Sequence, residues 1–286
     1  MNSQQILLPV YRALRPIVDR CHLNALARPV WAAVWKKRSD QLVRAQQNGR
    51  TWWLDPEVAL RGSEQEMETI RWLRSVIQPG TTAIDVGANV GQMTLEMAQL
   101  TGPRGRIIAI EPGPGNLAVL RKHIEANGFS DRVTVVDAAC CAAHGEEMDL
   151  EIPAANVDEV GSGFQLAGIG TVPNPMDRGS PRVRLKVATV TLDQLMADLK
   201  VQPAVLKIDV EGAELEVLRG ARGLLHTCRP EVSVGFHPFA FDLPAAAQST
   251  IISLLGDAGL TFGKSEAAAW TLGEYFASRV DAEKRR

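Results

Sequence analysis

Ala83-Ile84-Asp85-Val86-Gly87-Ala88-Asn89-Val90-Gly91 and Leu206-Lys207-Ile208-Asp209-Val210-Glu211-Gly212-Ala213-Glu214 share one pattern: a short apolar run enters small and acidic residues, then a helical pattern. In an open α/β sheet this is where a ligand meets the carboxyl ends of the strands. In the first stretch Gly87 and Gly91 allow a tight turn, with Ala88 and Asn89 inside it, and a close backbone approach to a bulky cofactor. Asp85 supplies acceptors for polar groups. The spacing is Gly-x-x-x-Gly with an acid two residues upstream, not the dinucleotide fingerprint Gly-x-Gly-x-x-Gly, which favours S-adenosylmethionine over NAD. Gly87→Val is then expected to block binding and leave the fold intact.

Glu111, before Pro112, lies about 26 residues beyond Asp85, the βαβ spacing at which an acid meets ribose hydroxyls. Asp137 and the Ala138-Ala139-Cys140 turn fall where an adenine would lie. Methyl transfer from a sulfonium is an in-line displacement, so the enzyme must mainly align an acceptor oxygen and remove its proton. Asp209 stands at the mouth of the sheet, and His237 ends the neighbouring strand with an ordinary pKa near 6.5. Both are candidate bases. Lys207 can pair with Glu211 or Glu214, and Asp209 with Glu211 could hold a divalent metal, although no closed ligand set is visible and no metal is expected.

Alternating elements must position these groups. Trp52-Trp53-Leu54 reads as a strand, and Glu64 to Val76 as a helix stopped by Pro79-Gly80. Strands over 82–86, 106–110, 132–136, 203–208 and 231–236 alternate with helical patterns, which argues for a parallel sheet covered on both faces. The rhythm breaks over 142–191, where Gly161-Ser162-Gly163, Gly168 and Gly170 suit an inserted hairpin and a substrate-facing lid. Residues 251–255 read as helix, and 260–262 and 269–272 as closing antiparallel strands.

In order and at similar intervals, Asp85-Val-Gly-Ala-Asn-Val-Gly91, Glu111-Pro112, Thr191-Leu192-Asp193, Lys207-Ile-Asp-Val-Glu-Gly-Ala-Glu214 and Val217-Leu218-Arg219-Gly220-Ala221 resemble the FkbM-type S-adenosylmethionine-dependent methyltransferases. The resemblance covers roughly 50–262. It implies a class I methyltransferase fold, Rossmann-like with seven strands, and O-methylation of a hydroxyl on a sugar, glycoconjugate or natural product. By the same resemblance Asp85, Gly87, Asn89, Gly91 and Glu111 would bind the cofactor, and Lys207, Asp209, Glu211 and Glu214 would form the acidic motif. The family often has Asn where His123 stands and Glu where Gly235 stands.

Composition sets outer limits. The chain has 286 residues, 45% of them hydrophobic, enough for one large α/β domain, 49–286, and an appendage, 1–48. Four cysteines without Cys-x-x-Cys spacing suggest neither a zinc ribbon nor a disulfide framework, and a reducing cytoplasm is the simplest setting. A net charge of -2 gives no general attraction to nucleic acid. The appendage differs: eight basic residues there meet only Asp19 and Asp40, and apolar residues at helical spacing predict two amphipathic helices. They could pack on the domain or a second subunit, giving a homo-oligomer, or lie peripherally on anionic membrane. Alternatives to the enzyme reading are a catalytically silent membrane adaptor, a nucleic-acid methyltransferase using Asn174-Pro175-Met176, and an NAD-dependent dehydrogenase.

Overall fold

The computed structural model describes residues 42–60, 66–154, 164–167, 169, 181–262 and 273–279. The amphipathic helices expected before residue 42, most of the glycine-rich lid, Asn174-Pro175-Met176 and the strand expected over 269–272 lie outside them. The chain divides into two compact units, 1–67 with 125–128, and the remainder.

The described part of the first unit is a hairpin, β1 (Val43–Gln47) and β2 (Arg50–Leu54), followed by helix α1 (Pro56–Leu60). Asn48 and Gly49 both have positive φ, 54° and 78°, the two-residue turn whose twist matches paired strands. Val43 to Gln47 therefore corrects the expectation of helix up to residue 48. Its side chains alternate buried and exposed with period 2, which a helix could not use.

In the second unit, helix α2 (Met67–Val76) precedes β3 (Thr82–Val86), α3 (Gln92–Thr101), β4 (Arg106–Glu111), α4 (Pro114–Ala126), β5 (Val133–Asp137) and β6 (Ala139–Cys140). The insert follows as β7 (Glu147–Pro153), β8 (Gln165–Leu166) and β9 (Arg182–Val190). Then come α5 (Leu192–Leu199), β10 (Val205–Ile208), α6 (Glu214–Arg219), α7 (Arg222–Cys228), β11 (Glu231–Phe236), α8 (Pro244–Asp257), β12 (Leu260–Phe262) and β13 (Gly273–Arg279). The seven-stranded sheet runs β12-β13-β11-β10-β3-β4-β5, with β13 alone antiparallel to its neighbours. This is the mostly parallel class I methyltransferase arrangement. The chain winds one way from β3 through β5 and the other way from β10 to β11, so the crevice opens at the carboxyl ends of β3 and β10.

Strand alternation gives the sheet two unlike faces. Ile84, Val86, Ile108, Ile110, Leu206, Ile208, Val232 and Val234 form one apolar face, packed with residues of α5 to α8. On the other, register aligns Asp85 with Lys207 and Lys207 with Ser233, and α3 covers the row through Thr94, whose Oγ1 donates to Asp85 Oδ2 at 2.6 Å. Trp72 of α2 stacks on Phe276 of β13 on that side, ring centroids 5.0 Å apart.

The insert is a second sheet, β6-β9-β7-β8, with its own small core of Ala139, Leu150, Ile152 and Leu166. Helix α5 is not among the elements expected from the sequence. Thr191 caps it by accepting from the Gln194 N–H, and the Asp193 carboxylate accepts the N–H groups of Gly223 and Leu224 at the start of α7. The Thr-Leu-Asp motif thus fastens two helices.

Candidate active site

The first half of the site is the turn between β3 and α3. Gly87, Asn89 and Gly91 have φ of 76°, 50° and 90°, and the Gly87 and Ala88 N–H groups both donate to Ile110 O. Beneath the turn, His123 Nδ1–H donates to Val90 O at 2.7 Å; burial lowers this imidazole to about 4, so it stays neutral. Glu111 ends β4 beside the turn. Its Oε2 accepts the Asn89 N–H at 2.9 Å, and Oε1 accepts from Gly113 N–H at 2.9 Å and Asn116 Nδ2 at 3.3 Å. Burial pushes its carboxyl up to about 6, partly offset by those donors and the Lys207 charge.

Two expectations for this half change. A Cβ on Gly87 would stand 1.9 Å from the backbone oxygen of Asp209, so what Gly87 admits is the neighbouring motif, and Gly87→Val cannot leave the fold intact. A Cβ on Gly91 would likewise meet Leu120 Cδ1 of α4 at 2.5 Å. Asp85 is wholly buried and engaged by Thr94 and Lys207, so it supports the turn from below and presents no face to a ligand. Ala88 and Ala139 are also buried, the latter inside the insert's core, while Pro112 is half-buried. Asp137 sits opposite Glu111 in register at the same sheet edge, exposed and 3.3 Å from Arg121.

The second half follows β10 and β11. Lys207 Nζ lies 3.2 Å from Asp85 Oδ1 and 3.7 Å from Asp209 Oδ2, and it donates to Gly87 O at 3.3 Å. It meets Asp85 and Asp209 because residues 207 and 209 share a face and register sets 207 beside 85. This buried cation ties the two motifs together. The Asp209 N–H donates to Val86 O, continuing the tie.

His237 gathers the remaining acids. Nδ1 donates to Glu214 Oε1 at 2.6 Å, while Nε2 lies 3.7 Å from Asp209 Oδ1 and 3.8 Å from Glu211 Oε2. Glu214 is fully buried and also accepts the Gly212 N–H. Burial would lower the imidazole, but the Glu214 hydrogen bond and the charges of Glu214, Asp209 and Glu211 outweigh it and raise the pKa to about 9. Glu274 is an addition the sequence analysis missed. It lies opposite Gly235 on β13, takes a 2.5 Å hydrogen bond from Ser233 Oγ, and with Asp209 fills the space where a residue 235 side chain would stand. Among the described residues no group of three or more His, Cys, Asp or Glu is arranged to hold a metal ion.

The sequence profile of the methyltransferase FkbM domain matches residues 85–260, which contain every group described above except Glu274. The chain belongs to the FkbM methyltransferase family. A demethylmenaquinone methyltransferase of Symbiobacterium thermophilum is 26% identical over 111 residues, 37% of this chain and 41% of the relative. Catechol O-methyltransferase of Sus scrofa is 36% identical over 62 residues, 22% of this chain and 33% of the relative. The FkbM chain thus spans less than half the length of either. The crystal structure of methyltransferase FkbM from Methylobacillus flagellatus KT superposes with a TM-score of 0.43 at 18% identity, covering 73% of this chain and 51% of that one. No helix among the described residues is long and apolar enough to cross a membrane.

The cofactor half fits this family's cofactor. A carboxylate offers about four acceptor positions. Three of those on Glu111 are taken by N–H donors, two on Oε1 and one on Oε2, which leaves Oε2 able to accept a hydroxyl.

Proposed function

We propose that this FkbM methyltransferase methylates a hydroxyl oxygen of a sugar, glycoconjugate or other natural product, with Glu111 holding the cofactor ribose and His237 taking the hydroxyl proton. The observation that carries the reading is the Glu214–His237 pair. A buried carboxylate fixes the proton on Nδ1, so Nε2 is directed to the sheet edge between Asp209 and Glu211. An alkyl hydroxyl needs such an acceptor as its oxygen forms a new bond, and one relative carries O-methyltransferase in its name.

When bound, S-adenosylmethionine supplies an activated methyl on a sulfonium. The chain's own part is positional. Asp209 and Glu211 accept hydrogen bonds from an acceptor with several hydroxyls, and His237, deprotonated at Nε2, removes the proton of the hydroxyl to be methylated. Lys207 and Gly87 hold the Asp209 loop against the cofactor turn, so the two halves keep their separation during transfer. The test is incubation with methyl-tritiated S-adenosylmethionine and a panel of glycosides and phenolic natural products. Label on oxygen that is lost in His237→Ala supports the reading; label on carbon or nitrogen overturns it.

A further inference from the structure

An aromatic side chain of the insert reaches the cofactor half. A Cβ built on Gly113 would stand 2.3 Å from Phe164 Cε2, 2.8 Å from Phe164 Cδ2 and 2.8 Å from Glu111 Oε1. An apolar ring and a buried carboxylate therefore converge on the bare backbone of Gly113, the residue whose N–H holds that carboxylate. Phe164 is only half-buried. Its inner part packs on the insert's core of Ala139, Leu150, Ile152 and Leu166, so the hairpin strands hold the ring in place. For the insert alone this placement is unfavourable, because an aromatic ring keeps water from an ionisable group. It becomes useful if a ligand brings a hydroxyl to the carboxylate and a flat apolar surface to the ring.

We propose that Phe164 is a cofactor-binding residue, its ring walling the adenosine end of S-adenosylmethionine beside Glu111, so that the insert sets cofactor affinity together with the sheet edge. The proposal rests on the reading of Glu111 as the ribose ligand. It also gives the burial of Glu111 a source. The groups facing that carboxylate are the Asn89 and Gly113 N–H donors, the Asn116 amide, and the Lys207 ammonium from β10; loss of water outweighs all of them.

The experiment is calorimetric titration of the full chain with S-adenosylhomocysteine between pH 5 and 8. In the wild type, affinity should fall as pH drops through about 6, where Glu111 takes a proton. Phe164→Ala should weaken binding roughly tenfold, the loss of one aromatic contact with its buried area. It should also move the midpoint down toward the ordinary carboxyl value as water reaches Glu111. Phe164→Leu keeps the anchorage in the insert core and loses the flat ring; it should retain the wild-type melting temperature and midpoint yet bind more weakly. Glu111→Gln is the control. If it loses affinity while Phe164→Leu and Phe164→Ala match the wild type in affinity and midpoint, the ring is only core and the proposal is overturned. If Glu111→Gln binds as the wild type does, the ribose reading itself fails and takes the proposal with it. Should Phe164→Ala not fold, Phe164→Leu decides alone through its affinity.

Discussion

The two halves of the sheet edge handle buried carboxylates in opposite ways. At the β3–β4 end burial raises Glu111 to about 6 against the opposite pull of its N–H donors and the Lys207 charge, whereas at the β10–β11 end three carboxylates outweigh burial and raise one imidazole to about 9. Backbone donors make a fixed acceptor for hydroxyl recognition, since they add no mobile proton. Carboxylates around an imidazole make a strong proton acceptor. On the proposed reading, binding and proton transfer are separated along one edge and tied through Lys207, whose ammonium meets Asp85 below the turn and Asp209 beside the imidazole, and through the Asp209 N–H bond to Val86 O.

The largest expected effect tests that separation directly. His237→Ala should cost about 10²-fold to 10⁴-fold in turnover, the usual worth of a general base, with affinity for S-adenosylhomocysteine little changed. A parallel loss of affinity in calorimetry would show that the halves are not separate. Next, Glu111→Gln should weaken S-adenosylhomocysteine by roughly 10-fold to 100-fold, the worth of a charge-assisted hydrogen bond, and leave the pH dependence of the His237 step in place. A variant with normal affinity but slow turnover would reverse the assignment of the halves.

Glu214→Gln sharpens the second half alone. With His237 as base, kcat/KM should rise with pH up to about 9, and removing the Glu214 charge should lower that limb toward 6.5, because the hydrogen bond and charge of Glu214 raise the imidazole most strongly. A limb that does not move would point to a different base.

The remaining effects are on stability, and they enter from opposite ends of the pH scale. His237, raised to about 9, contributes stability that is fully present below about pH 6.5 and is lost as pH climbs through 9, on the order of 3 kcal/mol. His123 under the cofactor turn is lowered to about 4, so its contribution is present above 6.5 and is lost as pH falls toward 4, by a similar amount. Denaturant titrations of His123→Asn and His237→Asn should flatten the acid and alkaline limbs respectively. If both variants change the same limb, the contrast between the halves fails.

The sequence by itself determined the elements and the edge. Apolar runs ending in Gly87-Ala88-Asn89, Glu111-Pro112 and Asp209-Val210-Glu211 mark strand ends, because a short continuous apolar run closed by turn residues is local information. The strand 231–236 emerges with the bounds read from it, and the sheet is the mostly parallel one expected. The partners within that edge were decided only by the tertiary structure. Nothing local tells Lys207 to meet Asp85, since that follows from the register of β10 against β3. Gly87 reads as room for a ligand until the Asp209 backbone is seen to fill it, and Glu274 on β13 and Phe164 just before β8 reach the edge from far along the chain. Residue types and their spacing fix which chemistry is available. Which carboxylate meets water, an N–H donor or an imidazole is set by long-range packing, and the protonation of each group follows from that contact.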